Sequence, residues 1–171
     1  MSLRLKTAFL LGGVVATIVL FSASPTYPQG ATAGTGPFAA WAGSWSGNGV
    51  ATNSEGVNER VRCTVKYASQ SGGHTVQIDL RCASDSYSAE FTGSIVEIGD
   101  SLSGNWFEST RRIGGTISGR ASSHQIDARA DGETFTALLT VITQGSRQSF
   151  SMESPGAKMS KFSVTLNRAA R

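Results

Sequence analysis

Val61-Arg62-Cys63-Thr64-Val65-Lys66-Tyr67-Ala68-Ser69-Gln70-Ser71-Gly72-Gly73-His74-Thr75-Val76-Gln77-Ile78-Asp79-Leu80-Arg81-Cys82 is written as a mirror about Gly72-Gly73. Outward from that centre, Val76 faces Ser69, Ile78 faces Tyr67, Leu80 faces Val65 and Cys82 faces Cys63. The intervening residues make the opposite face, with Asp79 across from Lys66 and Arg81 across from Thr64. Period-two alternation on both arms predicts a half-buried antiparallel hairpin. A four-residue loop, Ser71 to His74, sets the cysteines at a non-hydrogen-bonded pair, where Cα atoms approach to about 4.5 Å and a disulfide fits. A Cys63–Cys82 disulfide implies an oxidising compartment.

The N-terminus agrees with that compartment. Arg4 and Lys6 precede an apolar run from Ala8 to Phe21, short for a bilayer span and suited to a secretory signal. Ser22-Ala23-Ser24, followed by Pro25, and Ala31-Thr32-Ala33 are the candidate cleavage points, with an uncleaved anchor as the alternative. The expected organisation is a signal peptide and the start of a flexible leader over 1–33, leader over 34–40, a β-barrel domain over 41–168 and a tail over 169–171. The mature protein is expected to be exported, periplasmic or secreted, and not membrane-spanning.

Charge excludes one class of partner. The chain has 15 Lys+Arg against 12 Asp+Glu, and setting Arg4 and Lys6 aside leaves 13 against 12. Nucleic-acid binding calls for a strongly basic face, and none is encoded.

The mirror repeats along the chain. It pairs Tyr87 with Cys82 about Ser84-Asp85, Ile95 with Gly104 about Gly99-Asp100, and Trp106 with Gly115 across Ser109–Arg112. It pairs Ile117 with Ala128 about Ser122-Ser123, Phe135 with Ala128 about Asp131-Gly132, and Phe150 with Leu139 about Gln144-Gly145. Such short connections make sequential antiparallel neighbours, with no room for crossover helices. About ten strands are predicted: 41–51, 57–69, 74–83, 86–98, 101–109, 113–121, 124–131, 133–143, 146–153 and 159–168. Large and small residues oppose each other on the inner face, as with Trp106 against Gly93 and Gly115. Arg60, Arg62, Lys66, Arg81, Asp127 and Arg129 fall on the outer face, the reverse of an outer-membrane barrel. The fold class is therefore all-β, a single up-and-down meander closed into a barrel, with an open coiled sheet as runner-up.

Gly43-Ser44-Trp45 resembles the G-x-W signature that opens lipocalins and their calycin relatives. The resemblance implies a barrel whose closed end is capped by Trp45, with an arginine from the last strand packed across it. Arg168, on the inward parity of the last strand, takes that place, and a cation over an indole contributes about 0.5–2 kcal/mol.

No catalytic constellation is encoded. His74 and His124 lie at turns without a metal-ligand partner at useful spacing. Gly43-Ser44-Trp45-Ser46-Gly47 carries tryptophan where a nucleophile elbow needs serine. Neither a phosphate loop nor a dinucleotide fingerprint is present, and no cofactor or metal is expected. The strand directions gather Glu59, Glu108 and Glu133 at one end on inward-parity positions, with Tyr87 nearby and Trp106 one step deeper. The reading is a cup for a small, mainly apolar ligand. Mutual repulsion among the three glutamates would raise the pKa of at least one and favour a cationic head. The alternatives are a protein-binding module, such as an inhibitor of an envelope hydrolase acting through residues 25–40 or the rim loops, and an envelope structural or stress protein without a ligand. An enzyme is not expected. Outward-facing Val96, Ile98, Phe107, Leu138 and Ile142 would form a dimer contact, or be covered by the leader, if contiguous.

Overall fold

The computed structural model describes residues 36–122 and 124–170. The proposed signal peptide, Gly34, Thr35 and Arg171 lie outside the described residues. Ten strands follow in chain order: β1 (Gly43–Asn53), β2 (Asn58–Gln70), β3 (Thr75–Ala83), β4 (Ser88–Ile98), β5 (Ser101–Glu108), β6 (Ile113–Ala121), β7 (Gln125–Gly132), β8 (Thr136–Gln144), β9 (Arg147–Glu153) and β10 (Met159–Arg168). Each pairs antiparallel with its sequence neighbours, and β1 pairs with β10 to close the barrel. Closure leaves no unpaired sheet edge, and the open-sheet alternative falls.

The β2–β3 hairpin has the register read from its mirror. Gln70 pairs with Thr75 around a short 3₁₀ turn at Ser71–Gly73, and Cys63 pairs with Cys82. Those two residues form a disulfide with Cα atoms 4.2 Å apart. The Gly99-Asp100 turn and the 109–112 connection also hold, giving Ile95 opposite Gly104 and Trp106 opposite both Gly93 and Gly115.

Four other turns are placed differently from the sequence reading. Ala89, not Tyr87, pairs with Cys82, because Ser84 to Tyr87 form a four-residue turn closed by Ser84 N–H donating to the Tyr87 carbonyl (2.7 Å). Ile117 pairs with Ala130 instead of Ala128, and Phe150 pairs with Val141 instead of Leu139. Ala128 pairs with Leu139 instead of Phe135, since β7 runs on to Gly132, whose N–H donates to the Phe135 carbonyl (3.0 Å). Each displacement is by an even number of residues, and no side chain changes face. Arg60, Arg62, Lys66, Arg81, Asp127 and Arg129 are accordingly all exposed.

Rows of register partners climb the wall because the strands are tilted and staggered. One row runs Arg168–Trp45–Val65–Leu80–Phe91–Glu108, from one end of the barrel to the other. Several inner positions on these rows are glycine for a backbone reason. A Cβ on Gly47 or Gly115 would stand 1.8 Å from the carbonyl oxygen of Thr165 or Asp131, and one on Gly49 1.9 Å from that of Ser163. The strands bend so sharply there that a neighbouring chain occupies the side-chain site. These glycines serve closure before they serve interior space.

Candidate functional site

One end of the barrel is sealed. Residues 36–41, which the sequence reading assigned to the leader and the first strand, form turns ahead of β1. Gly36 N–H donates to the Gly72 carbonyl (3.0 Å) and Phe38 N–H to the Gly73 carbonyl (2.9 Å), fastening the segment to the β2–β3 turn. Phe38 is fully buried, edge-on to Trp41 with ring centroids 5.2 Å apart, and Trp41 packs on Tyr67 at 4.9 Å. Trp45 Nε1 donates to the Trp41 carbonyl (2.7 Å). Arg168 lies 4.6 Å above the Trp45 ring and donates to the carbonyls of Ala40 and Ala42. The cap expected of Trp45 and Arg168 is therefore present, with a buried phenylalanine added.

A polar strut crosses this closed end. Tyr67 OH on β2 donates to Gln148 Oε1 on β9 (2.7 Å), and Gln148 Nε2 donates to Thr143 Oγ1 on β8 (3.1 Å). Burial pushes the Tyr67 phenol well above its ordinary range, so it remains a neutral donor. Beside the cap, His74 pairs with Glu97 (Nδ1 to Oε2, 2.5 Å), and Glu97 also accepts from Asp100 N–H (2.7 Å).

Toward the opposite end the inner wall changes character. Ile78, Leu80, Phe91, Ala128, Leu139, Phe150 and Met152 face inward at mid-strand, yet all stay partly exposed. Val61, Phe162 and Val164, on the wall made by β2 and β10, are buried. The partly exposed inward apolar side chains thus lie chiefly along β3–β4 and β7–β9. Two shallow grooves of about 290 and 280 Å³ lie elsewhere, on the outer wall, around Ser149, Ser151 and Ser163 and around Lys66, Asp79 and Arg81.

The mouth is not the ring of repelling acids expected from Glu59, Glu108 and Glu133. Glu108 is 1% exposed and accepts from the backbone N–H groups of Thr110 (2.9 Å), Arg111 (2.8 Å) and Glu90 (3.3 Å) and from Arg111 Nη1 (3.3 Å). Burial pushes its carboxyl up, but the hydrogen bonds to Thr110, Arg111 and Glu90 together outweigh that effect and hold it below the ordinary carboxylate range. Glu59 accepts from Ser86 N–H (3.0 Å) and Oγ (2.7 Å), and hydrogen bonds from Ser86 and Ser84 lower its pKa too. Glu133 is exposed on the β7–β8 turn. The raised value expected from mutual repulsion is therefore reversed for Glu59 and Glu108. Glu108 is satisfied chiefly by the N–H groups of the turn that follows it, and Glu59 by Ser86 of the β3–β4 turn.

Arg111 was missing from the candidate set. Its guanidinium binds Glu108 and lies 4.6 Å above the Tyr87 ring, joining the β5–β6 connection to the β3–β4 turn. Burial raises the Tyr87 phenol pKa, with Arg111 opposing it. The signal was in the sequence, since Arg111 follows an inward glutamate by three residues within a connection of four. Trp106, one inward step below Glu108, packs with Phe91 at 6.4 Å and Phe135 at 5.5 Å. It is 8% exposed, and its Nε1–H has no hydrogen-bond partner. A buried donor left in that state costs about 1–3 kcal/mol. Of the outward apolar residues, Leu138 is flanked on neighbouring strands by Arg129 and Glu153.

No protein-family model matches the chain, and no curated protein matches it in sequence. Among solved structures, the S-type phycobiliprotein lyase CPES from Guillardia theta is similar in fold, with a TM-score of 0.58 at 11% identity over 78% of this chain and 91% of that one. Ten antiparallel strands in a closed meander, capped at one end by Trp45 and Arg168, make this chain an up-and-down β-barrel similar in fold to that lyase.

Proposed function

We propose that the chain is an exported, non-catalytic carrier that holds a small, mainly apolar molecule in its lumen. The observation that carries this reading is the set of inward, mid-strand apolar side chains that remain partly exposed although the wall around them is continuous. A barrel packed for stability alone would bury Ile78, Leu80, Phe91, Leu139 and Phe150 against one another. Export is supported by the Cys63–Cys82 disulfide and by the apolar run after Arg4 and Lys6. The inhibitor alternative loses part of its contact segment, because residues 36–41 are fastened to the barrel and Phe38 is buried.

Titration with an apolar fluorophore tests the carrier reading. Saturable binding is expected, abolished by filling the lumen with Ala128→Phe and unaffected by Ser151→Lys on the outer wall. Absence of binding, or binding lost in Ser151→Lys and kept in Ala128→Phe, would reject the lumen. Export is checked by peptide mapping without reductant on protein recovered outside the cytoplasm, where a Cys63–Cys82 cross-linked peptide is expected.

A further inference from the structure

We propose that the ligand presents a neutral hydrogen-bond-accepting oxygen, a carbonyl or ester oxygen on an apolar body, to Nε1–H of Trp106. This rests on the lumen reading above and assigns the chemistry that the lumen selects.

The inference starts from a contrast between two indoles of one chain. Trp45, in the closed end, has its Nε1–H satisfied by the Trp41 carbonyl at 2.7 Å. Trp106, toward the mouth and almost as deeply buried, has no acceptor. Neither inward glutamate is free to serve. The carboxylate of Glu108, two residues on along β5, is occupied by three backbone N–H groups and Arg111. Glu59 is taken by Ser86. The wall under the ring is glycine, with the Cβ position of Gly115 lying 3.0 Å from Nε1 and that of Gly132 3.1 Å from the ring's Cζ2. Phe135, a partly exposed side chain that immediately precedes β8, packs on the indole with ring centroids 5.5 Å apart. Displacing Phe135 would join the indole edge to the apolar lumen, and an oxygen there would meet the one buried side-chain donor left unmet among the described residues.

The same geometry argues against the cationic head expected from sequence. An ammonium brings only donors, and the two carboxylates on inward strand positions, Glu59 and Glu108, are already paired. A hydrocarbon fills the lumen but leaves the donor unmet. An accepting oxygen alone removes the deficit.

The test compares 2-octanone, octane and octylamine against the full-length folded protein, by calorimetric titration and by ¹⁵N spectra of the indole N–H groups. The ketone is expected to bind about tenfold more tightly than the other two, the ratio that ~1.4 kcal/mol produces. It alone should move the Trp106 indole N–H resonance downfield, leaving that of Trp45 in place. Trp106→Phe, which keeps a ring and removes the donor, should bring the ketone-to-octane ratio close to one. Equal affinities in the native protein, an amine preference, or a ketone preference that survives in Trp106→Phe would each overturn the proposal while leaving the lumen reading intact. Failure of all three probes to bind would overturn both.

Discussion

Glu108 shows how a carboxylate on an inner-face position becomes a structural part. Its two oxygens close the 109–112 connection, where Arg112 adopts a left-handed φ of 58°, and they anchor Arg111 over Tyr87. Glu108→Gln replaces an acceptor of four hydrogen bonds by an amide whose NH₂ meets backbone N–H donors. The variant is expected to lose about 1–3 kcal/mol in denaturant unfolding at neutral pH. The sign of the pH dependence follows from the lowered pKa. A carboxyl held below its ordinary 4.5 in the folded protein contributes stability that is complete above that value and is lost as pH falls through the folded-state value. Native protein should therefore lose stability on the acid side of 4.5, and Glu108→Gln should lose less over the same window. Parity placed Glu108 inward correctly in the sequence. Its partners were not legible, because alternation reports which face a residue takes and says nothing of the N–H groups a turn will offer it.

The strands themselves were legible from alternation, and their registers only in part. Val65 opposite Leu80 and Trp106 opposite Gly115 came out as read, because a cysteine pair and a large–small pair mark those registers independently. Cys82 opposite Ala89 and Ala128 opposite Leu139 did not, because a two-residue and a four-residue turn leave the same alternation behind. The glycines carry a second lesson. Read from sequence, Gly115 is the small partner of Trp106; in the fold, a Cβ there or at Gly119 would strike the Asp131 or Asp127 carbonyl oxygen. Gly93, by contrast, leaves 3.3 Å to the Asn105 oxygen. Gly115→Ala is thus expected to destabilise by about 1–3 kcal/mol or more, and Gly93→Ala by clearly less. Thermal unfolding of the two variants side by side checks this, and equal losses would remove the closure argument.

At the scale of the whole molecule, closure, the disulfide and the Trp45–Arg168 cap were foreseeable from the opening G-x-W, the paired cysteines and the parity of the last strand. The plug was not. Gly36-Pro37-Phe38 sits in a Gly-, Pro- and Ala-rich stretch, and composition of that kind marks a linker unless one side chain finds a pocket. Phe38 finds one. Phe38→Ala should cost about 3–5 kcal/mol and let an apolar dye in from the closed end. The measurement pairs chemical denaturation with dye fluorescence, and an unchanged midpoint would return residues 36–40 to the status of a tether.

The seam between β1 and β10 has a mechanical consequence. The start of β1 and the end of β10 lie side by side, with Trp45 opposite Arg168 and Ala169 N–H donating to the Ser44 carbonyl (2.9 Å). A load applied through the two ends of the domain therefore pulls these strands apart crosswise, and their hydrogen bonds break one after another from Ala169–Ser44 upward. A load applied between Glu55, in the turn after β1, and Ala170 runs along the same two strands in opposite directions and strains the ladder all at once. Single-molecule extension should find the first geometry yielding at low force and the second resisting strongly. The barrel would then be tough along its seam and easily unlatched at its ends.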